Sequence, residues 1–267
     1  MPELPEVETI KSQLSPYLPF KILSLSMTTV IRPRILNTDL PIEGKTIITI
    51  NRKGKLLDFV FDDGSHMLSH LGMTGTWLVG ESIKTTKHTH LTLKGKHHTL
   101  AYDDPRRFGK LFYFSADEAS RKLAELGMDL ADPALNLKYI TEVVRRFPDR
   151  ALKVTLLDQK LFAGSGNYIA NEICARAGIR PTRKCSKVKK EEFPKLLKAI
   201  HQVIAPAIAS GGTTFQGGYR DSSGEKGLGV QHLVVFYQKV CQVCKVTPVK
   251  KIILAQRGTY YCPKCQK

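Results

Sequence analysis

The sequence predicts an α+β multidomain chain: a helix and a β-rich region first, a helical region next, and a small cysteine-bearing hairpin last. Three observations predict it. Between residues 20 and 114 the chain carries many short apolar runs divided by turn residues, from Ser115 the apolar spacing turns helical, and residues 241–265 hold two C-x-x-C pairs. At 267 residues, 42% of them hydrophobic, the chain is long enough for one large or two ordinary domains with a sizeable core, and wholesale disorder is excluded.

Val7, Ile10 and Leu14 fall at helical spacing over residues 2–17, and Pro16 and Pro19 end that helix. Short strands are predicted at 22–31, 46–50, 56–61, 66–71, 90–93, 99–102 and 111–114, with Asp62-Asp63-Gly64 and Lys94-Gly95-Lys96 as hairpin turns. Many short strands at close spacing suggest a sandwich or a barrel. Ser115 followed by Glu118 is a capping box, and Gly127 is a stop for the helix it opens. Helices are predicted at 137–147, 151–160, 168–177 and 191–210, with Gly178 and Gly211 at the C-caps. Residues 211–229 contain Gly211, Gly212, Gly217, Gly218, Gly224, Gly227 and Gly229 and are predicted to form a mobile loop. Such loops in compact domains are usually functional or disordered. The predicted segments are 1–125, 126–225 and 233–267.

Lys and Arg number 41 against 24 Asp and Glu, a net charge of +17 that suits a polyanionic partner. The last acidic residue is Glu225, and eight Lys or Arg follow it with no acid among them, so this tail is expected to face phosphate. No apolar run approaches the ~18–20 residues of a membrane span. Glu3, Glu6 and Glu8 stand where a signal peptide needs a basic and then an apolar stretch. The chain is therefore expected to be soluble and intracellular, with no membrane partner.

Cys241-x-x-Cys244 and Cys262-x-x-Cys265 are separated by 17 residues. Two such pairs at that distance make a structural zinc site: four thiolates close the tetrahedron, leave no open position for catalysis, and fold a segment too small to hold its own core. One structural Zn2+ is expected. Cys174 and Cys185 lack such spacing and are read as core or incidental thiols. Arg257-Gly258, between the pairs, is predicted as the tip of the zinc hairpin. Arg257 is either a phosphate or base contact or a solvated arginine, and spacing does not choose between these.

The chain begins Met1-Pro2-Glu3-Leu4-Pro5-Glu6. Removal of Met1 would leave Pro2 with a free secondary amine, and α-amino groups titrate near ~8, below lysine. Such an amine attacks an aldehyde carbon at neutral pH, and its iminium stays cationic and draws electrons from the sugar. Glu3 beside it is available as a general acid. A proline opening a helix, followed by acids that suit the helix N-terminus, explains the same residues without chemistry and, taken locally, is the better account.

Longer motifs change that balance. Met1–Thr9 reads MPELPEVET, His70–Gly75 HLGMTG, Asp104–Gly109 DPRRFG, Leu157–Glu172 LDQKLFAGSGNYIANE and Gly211–Thr214 GGTT, and the chain ends AQRGTYYCPKCQK. In this order, over nearly the whole chain, they closely resemble the bacterial formamidopyrimidine-DNA glycosylases. The resemblance implies an N-terminal helix and β-sandwich, a helical domain with a helix–two-turns–helix motif, and a β-hairpin zinc finger. Damaged double-stranded DNA would run between the two halves. The implied activity is removal of oxidised purines, mainly 8-oxoguanine and formamidopyrimidines, followed by β,δ-elimination at the abasic site in base excision repair. A cytoplasmic, nucleoid-associated monomer is implied.

Carried over residue by residue, Pro2 matches the nucleophile at the sugar C1′, Glu3 the acid that helps open the deoxyribose, and Glu6 a second acid of that site. Lys55 matches the lysine of elimination and phosphate contact; locally it is one base among three at a strand start. Met73, Arg106 and Phe108 match the residues that fill the gap left by a flipped nucleotide, where apolar wedges offset lost stacking and an arginine pairs with the orphaned base. His88 matches a DNA-contacting position. Lys153 and Asn167 match a pair holding phosphates, with Gly164-Ser165-Gly166 ahead of a helix start. Glu172 matches an acid of the lesion pocket, and Arg257 the finger arginine that grips phosphate.

The stretch 213–231 departs from the family pattern. It ends Gly227-Leu228-Gly229-Val230-Gln231, where the family usually carries aromatics, and is one residue longer ahead of Ser223-Gly224. No recognition residue is assigned in it, and lesion preference stays less defined than catalysis. Two rivals remain. An endonuclease VIII-type enzyme for oxidised pyrimidines shares Pro2, Glu3, Lys55 and the finger but typically lacks the leucine after the first Pro-Glu and differs at Met73 and Arg106. A non-catalytic zinc-ribbon nucleic-acid-binding protein fits the charge and the cysteines but gives no reason for the Pro-Glu start or for Lys55.

Overall fold

The computed structural model describes residues 1–31, 35–36, 39–215 and 218–267. They form two compact units, 1–125 with 210–228 and 126–209 with 229–267.

In the first unit, α1 (Leu4–Leu14) starts from a reciprocal capping box between Glu3 and Glu6, with Pro5 in the first turn where its missing N–H costs nothing. Val7, Ile10 and Leu14 are buried, as their spacing predicts, and Ser15–Tyr17 closes the helix as a 3₁₀ turn. Nine strands follow: β1 (Phe20–Lys21), β2 (Ser24–Met27), β3 (Thr46–Lys53), β4 (Leu56–Phe61), β5 (His66–His70), β6 (Thr76–Gly80), β7 (Thr89–Lys94), β8 (Thr99–Asp103) and β9 (Lys110–Phe114). They pair antiparallel into two sheets, ordered β1-β3-β4-β5-β9 and β2-β7-β8-β6.

Both sheets contribute to one core, and α1 adds Val7, Ile10 and Leu14 to it. Trp77 of β6 packs on Phe59 of β4, with ring centres 4.9 Å apart, and on Tyr102 of β8 at 5.3 Å. The buried indole N–H donates to the Ser69 hydroxyl at 2.9 Å, so this large ring leaves no polar atom unpaired. α2 (Ala116–Ala124) ends the unit's first segment, capped by Ser115 and Glu118 as predicted.

Some elements differ from expectation. The run 22–31 contains only β2 and a 3₁₀ turn, Thr29–Ile31; residues 32–34 and 37–38 lie outside the described residues. β6 was not predicted, because only Thr76 and Trp77 of its five residues are buried and no alternation marks it. Gly127 does not stop α2, which reaches its C-cap at Glu125; the Gly127 amide instead donates to the Gln159 carbonyl at 2.9 Å.

The second unit holds β10 (Met128–Asp129), α3 (Leu137–Arg146), α4 (Leu152–Leu157), β11 (Phe162–Ala163), α5 (Asn167–Arg176), α6 (Phe193–Ala209) and the hairpin β12 (Lys250–Leu254) and β13 (Arg257–Tyr261). α5 is buried along most of its length; α4 and α6 pack on it, and α3 packs on α6 through its apolar face. Gly178 and Gly211, with φ of +72° and +71°, end α5 and α6 as predicted. α4 is shorter than the predicted 151–160, because the chain turns extended at Asp158. Among the described residues no helix is long and apolar enough to cross a membrane.

Glu8 ties α1 to β3 by accepting from Arg52 Nε at 2.6 Å and from Lys11 at 2.6 Å. Burial works to raise its carboxyl, but the bonds from Lys11 and Arg52 outweigh this and hold it below the ordinary range. A depressed carboxyl contributes stability that is present above its unfolded value and is lost as the pH falls through the folded one. Glu8→Gln is therefore expected to be less stable than wild type in urea unfolding at pH 7, with the gap closing below about pH 4. A gap of constant size across that range would contradict the ion pair.

Candidate active site

Pro2, Glu3 and Glu6 are buried at the start of α1. Glu6 is 1% exposed, and its two carboxylate oxygens are used in different directions. Oε2 accepts the Glu3 amide at 2.7 Å, and Oε1 accepts the Thr213 amide at 2.7 Å. One side chain thus fixes the backbone beside Pro2 and the root of the glycine-rich segment. That link was not legible in the sequence, which offered Glu6 only as a second acid.

The predicted mobile loop is more tightly held than its composition suggested. Thr213 bridges Leu228, and the Gly227 amide donates to the Thr214 hydroxyl at 2.9 Å. Further along, Tyr219 enters the core. Gln13 of α1 donates to Asp221 at 2.7 Å and accepts the Ser222 amide at 2.8 Å. Thr76 of β6 donates to the Arg220 carbonyl at 3.1 Å. From Gly218 onward this segment is strapped to α1 and β6; Gln216 and Gly217 lie outside the described residues.

Lys55 is 9% exposed at the turn between β3 and β4. Burial, and then the Lys55 ammonium, push the His70 imidazole below its ordinary value, while its Nδ1 accepts the Gly72 amide at 3.0 Å. Met73 and Phe108, at 36% and 52% exposed, are among the large apolar side chains the unit leaves in the open. Arg106 lies with its guanidinium carbon 4.9 Å from the Phe108 ring centre. The two loops that carry them meet: a side chain at Gly72, where φ is +63°, would run into the backbone of Phe108.

Asp104, fully buried, organises this junction. Its carboxylate accepts from the Thr74 hydroxyl at 2.6 Å, the Gly109 amide at 2.8 Å and the Arg106 amide at 3.3 Å. Sequence reasoning quoted Asp104 within a motif and gave it no role. His88 is half-buried and its carbonyl accepts the Asp104 amide at 2.9 Å. His90 is buried between Thr28 and the Asp104 carbonyl, the strand-interior position expected for it.

Lys153 is 0% exposed, and its ammonium donates to Asn167 Oδ1 at 2.8 Å, the Thr259 hydroxyl at 2.7 Å and the Gly258 carbonyl at 3.3 Å. It joins α4, α5 and the finger hairpin from inside. Asn167 is half-buried at the start of α5, and its amide donates to the same Gly258 carbonyl at 3.0 Å. Glu172 is 1% exposed and accepts the amides of Val234, Val235 and Phe236 at 2.7, 2.9 and 2.8 Å. Burial pushes its carboxyl up, against the three amides that favour the charged form. A carboxylate so occupied anchors the turn at residues 234–236 that leads towards the finger. Asn171, which sequence reasoning passed over, accepts the Tyr260 amide at 2.7 Å and holds β13 to α5.

The hairpin turns at Ala255-Gln256, with φ of +48° and +59°, and not at Arg257-Gly258 as predicted. Arg257 opens the returning strand opposite Leu254 and is exposed. Two non-glycine residues in the left-handed region carry strain of about 1–2 kcal/mol each. The turn therefore ends at Gln256, immediately before Arg257. The Sγ atoms of Cys241, Cys244, Cys262 and Cys265 all lie within 4.8 Å of one another. Cys241–Cys265 and Cys244–Cys262 are 4.0 and 3.9 Å apart. A tetrahedron of Zn–S bonds of about 2.3 Å has edges of about 3.8 Å, so this cage fits zinc. Bonds from Thr247 and Val246 pull Cys244 down to about 5, whereas burial and the neighbouring thiols push Cys265 up to about 12. A bound dication would hold all four as thiolates.

Known proteins resemble the chain from end to end. The formamidopyrimidine-DNA glycosylase N-terminal domain matches residues 1–111, the formamidopyrimidine-DNA glycosylase H2TH domain 126–217, and the zinc finger found in FPG and IleRS 238–267. Together with the sandwich, the helical unit and the four-cysteine cage, these define a helix–two-turns–helix DNA glycosylase with one structural zinc. A formamidopyrimidine-DNA glycosylase of Oceanobacillus iheyensis is 36% identical over 279 residues, covering 100% of this chain and 98% of its own. The crystal structure of the MutM (Fpg) protein of Thermus thermophilus superposes with a TM-score of 0.88 at 34% identity, covering 99% of this chain and 98% of its own. Wild-type Lactococcus lactis Fpg (MutM), in complex with DNA containing N7-benzyl-Fapy-dG, superposes with a TM-score of 0.89 at 31% identity over 100% of both chains.

The chain belongs to the formamidopyrimidine-DNA glycosylase family, whose members are DNA glycosylases with AP lyase activity in base excision repair. A zinc ribbon alone would account for residues 238–267 and leave the match over 1–111 without a cause, so the non-catalytic reading is set aside.

The finger is expected to carry one zinc per chain by elemental analysis. Chelation, or Cys262→Ser, is expected to lower the melting temperature and weaken binding to duplex DNA together. Metal-free protein with an unchanged melt would rule out a structural zinc.

Proposed function

We propose that the chain removes oxidised purines, 8-oxoguanine and formamidopyrimidines, from double-stranded DNA and then cuts the strand, with Pro2 as the nucleophile after loss of Met1. The observation that carries this reading is the Glu6 carboxylate, bound at once to the Glu3 amide and the Thr213 amide at 2.7 Å each. It supports the reading because it ties the backbone beside Pro2 to the root of the glycine-rich segment, which is suited to cover an extruded base. The lactococcal relative has also been solved with DNA containing an oxidised pyrimidine, so an endonuclease VIII-like substrate range is the second reading.

The chemistry follows from these residues. Both the glycosidic bond and C1′ are shielded in a stacked duplex, so the nucleotide must leave the helix first. Met73 and Phe108 fill the gap, and Arg106, steadied over the Phe108 ring at 4.9 Å, faces the orphaned base. The Pro2 nitrogen attacks C1′ with its lone pair, and the base leaves with the glycosidic electrons and takes a proton. Glu3 protonates the ring oxygen, the deoxyribose opens, and the C1′–N iminium forms. Loss of a C2′ proton then expels the 3′ phosphate, a second elimination expels the 5′ phosphate, and water hydrolyses the iminium to release Pro2. Lys55 holds a phosphate and assists proton transfer in the elimination.

In the second unit Asn167 and Arg257 contact phosphates. Lys153, Asn171 and Glu172 position the hairpin that carries Arg257. Zinc supplies only the fold of that hairpin. His88 adds a backbone contact to DNA from the first unit. The chain works as a monomer in the DNA-containing compartment of a bacterial cell.

Incubation with a duplex carrying 8-oxoguanine opposite cytosine, followed by borohydride, is expected to trap a covalent adduct that Pro2→Gly abolishes. An adduct only with thymine glycol would move the chain to pyrimidine repair; no adduct from protein verified to begin at Pro2 would remove the lyase reading. Affinity for the duplex is expected to fall steeply with salt, with a log–log slope of about −0.9 per phosphate neutralised. A flat response between low and physiological salt would contradict phosphate-dominated binding.

A further inference from the structure

The Arg52 side chain is 8% exposed and reaches two elements at once. Its Nε donates to Glu8 Oε2 of α1 at 2.6 Å, and its Nη1 donates to the Gly54 carbonyl at 3.0 Å. Gly54 has φ of +58°, making the turn that delivers Lys55 to the start of β4. The carbonyl that Arg52 holds therefore belongs to the peptide bond leading into Lys55. α1, at the other end of the clamp, follows directly on Pro2 and Glu3.

We propose that Arg52 is a positioning residue for catalysis: the Glu8–Arg52–Gly54 clamp fixes the Lys55 ammonium relative to the Pro2 end of the chain. The inference rests on the role given to Lys55 above. Nothing in the family resemblance assigns Arg52 or Glu8.

Three features favour positioning over simple stabilisation. The planar guanidinium uses separate nitrogens for helix and turn, which fixes both distance and angle; a lysine at this place offers one point of charge and cannot do so. The Glu8 carboxylate neutralises Arg52, so a second cation can lie close to Lys55 without driving its ammonium away. The clamp also acts on backbone: displacement of the Gly54 carbonyl moves the Lys55 Cα directly, whereas surface ion pairs merely restrain side chains.

The test is strand nicking at a preformed abasic site in duplex DNA by the full-length protein, which isolates elimination from base recognition. Variants are Arg52→Met, Arg52→Lys, Lys55→Ala and the double variant Arg52→Met/Lys55→Ala. Arg52→Met is expected to lower kcat about ten- to a hundredfold, with KM changed less than about threefold, as for a group misplaced rather than removed. Arg52→Lys is expected to recover little of the loss. In the Lys55→Ala background the Arg52→Met substitution is expected to cost less than about twofold, because its target is gone.

Equal losses from Arg52→Met in both backgrounds would overturn the proposal, since a general structural role does not depend on Lys55. Undiminished nicking by Arg52→Met would overturn it too. Lys55→Ala with full activity would remove the assignment of Lys55 itself, and the inference with it. If Arg52→Met does not fold, Glu8→Gln, which keeps size and shape, replaces it in the same cycle with the same criteria.

Discussion

A buried carboxylate that binds two backbone amides far apart in the chain is the constraint on which the first unit's chemistry depends. Glu6 could have served as a cap for α1 alone, since one of its oxygens completes the capping box with Glu3. Its other oxygen takes the Thr213 amide instead. A buried charge without such partners would be costly, so once Glu6 is enclosed both amides must be supplied. The helix start, the backbone beside Pro2 and the root of the glycine-rich segment are consequently tied together. Asp104 does the same for the loops bearing Met73, Arg106 and Phe108, with bonds to Thr74, Arg106 and Gly109. Around Asp104 the side chains of Met73, Arg106 and Phe108 are exposed, whereas Pro2 and Glu3 beside Glu6 are buried; in both places the acid that holds the backbone is itself enclosed.

The second unit is built on the same logic with the charges mixed. Lys153 donates inward to α5 and the hairpin, Asn171 accepts the Tyr260 amide, and Glu172 accepts three amides of residues 234–236. At the chain end Gln266 is fully buried, donating to the Ile179 carbonyl at 2.9 Å and accepting the Cys262 amide at 2.7 Å. The finger is thus fastened to the helices by polar groups along its length, including the cysteine end, where Gln266 links the Cys262 amide to the Ile179 carbonyl. Such networks specify one arrangement, because each unmade bond leaves a buried polar atom unpaired.

Legibility in the sequence followed the range of the interactions. Helix α1, the Ser115 cap, the glycine stops at Gly178 and Gly211 and the cysteine cage depend on neighbours within a few residues or on a fixed spacing, and each could be read from it. β6 could not, because its burial depends on Trp77 meeting Phe59 across the sandwich and its own residues show no period. The hairpin tip was misplaced by two residues since glycine attracts the turn, whereas Ala255 and Gln256 hold the left-handed conformation here. For the candidate site, residue types at Pro2, Glu3, Lys55 and Arg257 were readable through motifs. How far an acid or a lysine inside a motif is enclosed was not: the motif gives the residue types at Glu172 and Lys153, and only the fold gives their burial. Glycine content likewise suggested mobility for 211–229, whereas from residue 218 onward Gln13 and Thr76 hold the segment and Tyr219 enters the core.

The pairing of Glu6 with Thr213 also orders events during synthesis. The two residues are 207 positions apart, and the first unit takes back residues 210–228 only after the chain has run through α3 to α6. On a ribosome adding roughly 5–20 residues per second, about 10–40 s separate the emergence of the acid from that of its amide partner. The nascent sandwich must therefore wait with an incomplete corner, because one of the two amides that the buried Glu6 carboxylate binds is still to be made. A discontinuous unit of this kind makes the start of the chain dependent on a late segment, so a truncated product ending within the helices would lack the Thr213 amide that Glu6 accepts.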